Sequence, residues 1–210
     1  MVSDLLTVSI QQFQADCQQL CEQHYPTVHN RGMRENHLGK ALCRRIMTTL
    51  SNSDIAAELS QIEDTNNLPQ PIFKLQTHSF IIWIVAHRLL SANLARRQAL
   101  LTAIDGVLEQ QNPDQENHLL VVADHWFDRS KASKEIPAWW LGQLPTALDN
   151  YVQDGIRLLD SSTSLKSTLQ ASYAVDDAHL QVHHPLHRTN GHAILHKYIV
   201  LTGHFRINAS

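Results

Sequence analysis

The sequence has few cysteines, no excess of basic residues and no long hydrophobic segment. Its three cysteines, Cys17, Cys21 and Cys43, are too few for a disulfide scaffold, and an odd number leaves one unpaired. Lysine and arginine together number 17 against 20 aspartates and glutamates, which gives a net charge of -3. This balance disfavours a general nucleic-acid binder, because binding to polyanions usually goes with a strong basic excess.

No segment of the chain has the pattern of a membrane anchor or a signal peptide. The most apolar run extends only from Phe80 to Ala86, whereas a spanning helix needs roughly 20 apolar residues. Residues 1–20 lack the positively charged start and the apolar block of a signal peptide. Together with the low cysteine content, these absences predict a cytoplasmic protein with reduced thiols and no contact with a membrane.

The short motifs of common enzyme classes are also missing. The chain has no G-x-G-x-x-G, G-x-x-x-x-G-K-[ST], G-x-S-x-G or H-E-x-x-H pattern, which excludes a P-loop NTPase. A metal-dependent nuclease would show an acid on a strand, followed by a D/E-x-K pair. Asp124 precedes Asp128-Arg129-Ser130-Lys131, but the spacing in this segment is wrong by one residue.

The hydrophobic residues, 43% of the 210 in the chain, recur mostly at helical spacing. Ile10, Phe13, Cys17 and Cys21 would share one face of a first helix, so the cysteines are expected to be core residues. A second predicted helix has its apolar face at Leu38, Leu42, Ile46 and Leu50.

Most of the remaining chain is also predicted to be helical. Residues 75–90 are apolar nearly all round, which favours a central helix, with a buried strand as the competing interpretation. The other predicted helices cover residues 53–62, residues 94–108, residues 113–126 after a cap at Asn112 and residues 145–159.

The composition changes after about Ser161. Seven of the 14 histidines lie between His179 and His204, and Asn190-Gly191 separates two alternating runs, which predicts a β-hairpin. The predicted fold is therefore α+β and predominantly α-helical. A multi-helix body at residues 1–160, with a loop at 63–71, would precede a C-terminal element at residues 161–210 that contains the hairpin.

The predicted hairpin would gather histidines on one face. A two-residue turn at Asn190-Gly191 would pair His187 with Ile194, Pro185 with His196 and His183 with Tyr198. His183, His187, His192 and His196 would then lie together, as ligands for a divalent metal such as zinc or as proton-transfer groups. An ordinary polar sheet face is the alternative, and Pro185 warns of an edge strand or a bulged register.

Two further sets of residues are candidates for an interaction surface. Trp139 and Trp140 are adjacent, so at least one of the two rings is expected to be partly exposed, as in a protein interface, unless both pack under the C-terminal element, which is the alternative. Arg34, Arg44 and Arg45 would give the second helix a positive side, which suits phosphates or an ordinary solvated surface.

These features lead to three functional hypotheses. The first is a macromolecule-binding accessory or adaptor subunit with a protein partner or a second copy of itself, because no catalytic motif is visible. The second is a metal-dependent hydrolase, with nucleases among the options, that uses the C-terminal histidines. The third is a winged-helix-like DNA-binding protein with a recognition helix at residues 164–173, which the net charge disfavours.

Overall fold

In a computed structural model, six strands form one mixed β-sheet with helices on both faces. The structure describes residues 2–23, 33, 35–62, 71–89, 94–188 and 193–208. The helices are α1 (Val2–Gln23), α2 (Glu35–Asn52), α3 (Leu94–Leu108), α4 (Lys131–Leu141), α5 (Leu148–Gln153) and α6 (Leu165–Ser172). The strands are β1 (Glu58–Ile62), β2 (Ile72–Gln76), β3 (Phe80–Arg88), β4 (Glu116–Trp126), β5 (Val175–His183) and β6 (Tyr198–Ile207).

The strand order across the sheet is β1-β2-β3-β4-β6-β5. Strands β3 and β4 are parallel, in a register that runs from Phe80 opposite Glu116 to Arg88 opposite Asp124. All other neighbouring strands are antiparallel. Helix α3 connects β3 to β4, because two parallel strands need a crossover connection between them.

Both faces of the central strands are buried. Helices α1 and α2 cover one face, where Leu42 and Ile46 join Ile82 and Val122 in a single core cluster. Helices α3 to α6 cover the other face. No helix in the described part of the chain is long and apolar enough to cross a membrane.

The predicted helical body with a small C-terminal hairpin is wrong, because a large mixed sheet organises the molecule. Residues 72–88 form β2 and β3, and residues 116–126 form β4, where helices were expected. Each residue of β3 from Phe80 to His87 is buried, since helices cover both sides of the strand. A strand buried on both faces loses the alternation of apolar and polar residues and resembles a core helix in sequence.

Three smaller predictions are also corrected. Residues 58–62 form strand β1 instead of a helix. The helix expected at residues 145–159 is reduced to α5, which is followed at once by Gly155 with φ +76°. Because this left-handed conformation suits glycine, Gly155 helps to end the helix instead of weakening its interior.

The helices predicted from amphipathic spacing in the first half of the chain are confirmed. The apolar faces of α1 and α2 are buried, including Cys17, Cys21 and Cys43, whose thiols are free. Helix α6, with Ser164 as its N-cap, lies where the winged-helix hypothesis placed its recognition helix. Strand β6 pairs with β4 over its whole length, so residues on both sides of position 160 belong to one sheet.

Candidate functional site

The structure separates His196 from His183 and His187, which the predicted hairpin was expected to bring together. The pairing of His187 with Ile194 near the turn is confirmed, whereas His192 and the turn itself lie outside the described residues. The predicted pairing of His183 with Tyr198 is wrong, because His183 lies opposite Val200. The register therefore shifts by two residues around Pro185, which cannot donate a ladder hydrogen bond.

His183 and His187 form one pair on the side of the hairpin that faces α1. In the described part of the chain, His183 Nε2 and His187 Nδ1 are buried without a hydrogen-bond partner. Burial lowers the pKa of His183, and the neighbouring His187 lowers it further. Among the described residues, no group of three or more His, Cys, Asp or Glu side chains is placed to hold a metal ion.

His196 lies in a different cluster, which is centred on Asp154. The Asp154 carboxylate accepts hydrogen bonds from the backbone N–H of His196 at 2.7 Å and from its ring Nδ1 at 3.1 Å. Its other oxygen accepts a hydrogen bond from Arg188. Burial alone would raise the pKa of Asp154, but the hydrogen bonds from His196 and Arg188 outweigh it and lower the pKa.

His184 completes this cluster, although the predicted pattern had placed it on the opposite face. Its ring lies 4.6 Å from that of His196, and its Nε2 is hydrogen-bonded to the Tyr151 hydroxyl at 2.7 Å. Burial, together with the neighbouring His196, lowers the pKa of His184 to about 4, so His184 is neutral at pH 7. The cluster ties the hairpin to α5.

Asp154 also lies in the wall of a surface cavity of about 540 Å³, called here the basic cavity. Four parts of the chain meet at the cavity: the end of β4, the start of β6, the segment after α5 and the segment that leads into α4. Its lining residues are Trp126, Phe127, Asp128, Arg129, Lys134, Asp154, Gly155, Ile156 and Lys197.

Local hydrogen bonds shape the segment that carries Asp128 and Arg129. The Asp128 carboxylate accepts from the Ser130 backbone N–H at 2.7 Å, and the Ser130 hydroxyl caps α4 by accepting from Ser133 N–H. The Ser133 hydroxyl in turn accepts from Asp128 N–H and is hydrogen-bonded to His125 Nε2. The cavity rim is therefore anchored to a buried side chain of β4.

Two backbone contacts bring the other walls into place. Phe127 N–H donates to the carbonyl of Lys197 at 2.9 Å, which sets the start of β6 beside the end of β4. Leu159 N–H donates to the carbonyl of Lys134 at 3.0 Å, which fixes the segment after α5 along α4. Residues far apart in sequence thus share one wall.

The cavity carries more positive than negative charge. Within the described residues, none of the cations Arg129, Lys134 and Lys197 makes an ion pair. Of the two carboxylates, Asp154 is already neutralised by Arg188. Three cations facing one Asp128 carboxylate create a site for an anion, and Asp128 could accept a hydroxyl hydrogen bond from the same ligand.

The adjacent tryptophans are both buried, which confirms the alternative of packing under the C-terminal element and contradicts the expected partial exposure. Trp139 and Trp140 are 2% and 0% exposed, and both belong to the core beneath the second sheet face. The Trp140 indole N–H donates to the carbonyl of Thr202 on β6. The two rings pack edge to face, with centroids 6.1 Å apart. Both are buried because the sheet lies on one side of them and neighbouring helices lie on the other. Neither ring is open to a partner.

Two of the three arginines of the predicted positive face lie beside a groove between α1 and α2. The groove has a volume of about 380 Å³, and Arg44 and Arg45 line it. Arg45 forms an ion pair with Asp16 of α1, while Arg34 lies outside the described residues. The role of these arginines in binding a partner stays a prediction.

Asp124, the acid of the imperfect nuclease pattern, is on a strand but is buried. It is 2% exposed at the end of β4, where its carboxylate accepts from Met33 N–H and from the Tyr198 hydroxyl, both at 3.0 Å. Arg88, at the end of the parallel strand β3, lies 3.6 Å away. Asp128 lies four residues further on, at the rim of the basic cavity.

Comparisons with known proteins found nothing similar to this chain. No protein-family model matches it, and searches of curated proteins and of solved structures found no match.

Sequence reasoning missed Asp154, Lys134 and Lys197 as site residues. Each is an ordinary charged residue without a local motif, and the site forms only when the ends of β4 and β6 meet the segment after α5. The Asp154-Gly155 pair was the one usable signal, since such a pair is typical of a turn that can expose a carboxylate.

Proposed function

We propose that this protein binds a ligand that carries a phosphate group, in the basic cavity. The observation that supports this proposal is the convergence of Arg129, Lys134 and Lys197, which make no ion pair in the described part of the chain. Unpaired cations on a concave surface favour a multiply charged oxyanion, because each can donate a charge-assisted hydrogen bond.

The size of the cavity favours a small phosphate ester over a long polymer. Its volume of about 540 Å³ lies within the range of small-molecule sites, roughly 300–1,000 Å³. Asp128 would repel a bare phosphate but would accept a hydrogen bond from a hydroxyl beside it. A phosphorylated ligand with a neighbouring hydroxyl group therefore suits the site better than inorganic phosphate.

The proposal is tested by NMR titration of inorganic phosphate and glycerol 3-phosphate into the wild type, Lys134→Gln and Lys131→Gln. Lys131 is the matched control, because it lies one turn earlier on α4, is 81% exposed and pairs with Glu135 outside the cavity. We expect binding about tenfold weaker in Lys134→Gln, since one charge-assisted hydrogen bond is lost. Equal affinities in the two variants, or no shifts at cavity residues, would contradict the proposal.

A second candidate function, phosphate-ester hydrolysis, is favoured by the Asp154–His196 pair. Asp154 accepts from His196 Nδ1, so the proton is held on that nitrogen and Nε2 is the basic one. Its partner Asp154 and the next residue, Lys197, line the cavity, whereas His196 itself lies behind the cavity wall and is 9% exposed. His196 would take a proton from the attacking water while the phosphorus–oxygen bond to the leaving group breaks.

Hydrolysis is measured with p-nitrophenyl phosphate and bis(p-nitrophenyl) phosphate, with and without added divalent metal. We expect His196→Gln to lose about 10²–10⁴-fold in rate, the usual contribution of acid–base catalysis. His78→Gln is the control, because His78 is exposed between β2 and β3. No wild-type turnover of either ester would exclude this candidate and leave ligand binding as the function.

We also propose a cytoplasmic location. The free and buried state of Cys17, Cys21 and Cys43 supports it, since it fits a reducing compartment. The adaptor and winged-helix hypotheses stay predictions. Neither gains a supporting contact in the described residues, because the tryptophans of the first are buried and α6 of the second packs Leu165 and Leu169 into the core.

A further inference from the structure

Three histidines lie side by side across β4, β6 and β5, far from the basic cavity in the strand register. We call His118, His204 and His179 the histidine row. His118 Nδ1 and His204 Nε2 are 3.0 Å apart and share a hydrogen bond, and the rings of His204 and His179 stack with centroids 6.0 Å apart. The row connects three neighbouring strands through titratable side chains.

The row runs from the buried part of the sheet to its surface. His118 and His204 are 0% and 1% exposed, whereas His179 is exposed. In the described part of the chain, the charged and titratable groups that face the two buried rings are Glu116 on β4, Arg206 on β6 and His179 on β5. Strand β3 contributes only the uncharged ring of Phe80.

The hydrogen bond between the two rings requires one of the facing nitrogens to be without a proton. Protonation of both rings would turn both facing nitrogens into donors and break the bond, whereas a single imidazolium can still donate to the neutral ring. Burial, together with the neighbours His118 and His179, lowers the pKa of His204 to about 3. Burial also lowers the pKa of His118, although Glu116 partly opposes this effect. The two buried rings are therefore neutral in the folded sheet.

Strand β5 has the fewest pairing partners of the three strands in the row. Among the described strands it lies at an edge of the sheet and pairs only with β6. Its ladder is interrupted by a register shift between Asp176 and His179, next to the row. Separation of β5 would expose the His204 ring to water, where histidine takes up a proton near neutral pH.

We infer that the histidine row makes the pairing of β5 with β6 sensitive to acid, so that β5 separates from the sheet when the row is protonated. The sign follows from the proton balance. With β5 separated from β6, His204 binds a proton below about pH 6.5, whereas with β5 paired it does so only near pH 3. The pairing of β5 with β6 is therefore stable at neutral pH and becomes less stable as the pH falls from about 6.5 towards about 3.

The test is hydrogen–deuterium exchange of the wild-type protein at pH 7.5 and pH 5, corrected for the intrinsic exchange rates. From pH 7.5 to pH 5, we expect the protonation of His204 alone to lower the protection of residues 175–183 against exchange about 30-fold. Strands β2 and β3 should keep their protection. The variant His204→Gln keeps a donor toward His118 but cannot titrate at this position, so its β5 protection should lose the change of about 30-fold that His204 contributes. Any remaining change with pH would come from His118 and from His183 on β5. The matched control His78→Gln should behave as the wild type.

Two results would overturn the inference. One is equal protection of β5 at both pH values in the wild type. The other is an imidazole pKa of His204 near 6.5, measured by NMR in the wild-type protein with the sheet intact. The NMR measurement needs no substitution, so the inference stays testable if His204→Gln does not fold. Both readouts are independent of phosphate binding.

Discussion

At the scale of single residues, charge pairing distinguishes the sites of this molecule. Arg188, Arg45 and Arg88 each have a carboxylate partner and connect segments of the fold. Lys134 and Lys197 face the basic cavity without an ion pair in the described residues. Unpaired cations on a concave wall are the feature that points to a ligand, since paired ones are explained by structure alone.

The backbone conformation of a single residue, Gly155, sets the position of Asp154. Its φ is +76°, and no atom lies within 4 Å of the position that a β-carbon would take, so backbone strain is the only cost of a side chain there. We expect Gly155→Ala to lower the free energy of unfolding by about 1–2 kcal/mol. Gly155→Asn should cost less, because asparagine tolerates this conformation. Urea denaturation measures both, and equal stability of Gly155→Ala and the wild type would contradict the role given to this glycine.

At the scale of secondary-structure elements, the close approach of α2 to the sheet is the tightest contact. A β-carbon at Gly39 would lie 2.5 Å from the Phe73 ring and 2.9 Å from the β-carbon of Ala86. Both distances are well below van der Waals contact. The absence of a side chain at Gly39 therefore lets α2 lie directly on β2 and β3.

The substitution Gly39→Ala tests this packing, because two effects oppose each other. Alanine is favoured in a helix interior by about 1 kcal/mol, whereas overpacking costs about 1–3 kcal/mol. With two atoms closer than 3.0 Å, we expect the steric effect to dominate and the melting temperature to fall. Lys40→Ala, at an exposed neighbouring position, should leave it nearly unchanged. A higher melting temperature for Gly39→Ala would show that α2 is more loosely packed.

At the scale of the whole molecule, the sheet determines where the candidate sites lie. The ends of β4 and β6 that meet near Trp126 and Tyr198 form the basic cavity, and the opposite ends of the same strands carry the histidine row. The two sites are separated by the length of β4, Glu116–Trp126. A ligand at one end and protonation at the other therefore act on different parts of one sheet.

The sequence by itself determined the elements whose pattern is local. Helices α1 and α2 follow from amphipathic spacing, Cys17 and Cys21 from their place on a core face, and the His187–Ile194 pairing from the Asn190-Gly191 turn. In each case the decisive residues lie within a few helical turns or on either side of one hairpin. Their spacing therefore carries the information.

Only the tertiary structure decided the rest. Strands β3 and β4 became strands because helices bury both their faces, which removes the alternation that would identify them in the sequence. The predicted histidine cluster divided because the register shifts by two residues near Pro185. The basic cavity joins Lys134, Asp154 and Lys197, which are distant in sequence. Contacts between distant segments depend on how the sheet pairs, and no local spacing encodes that pairing.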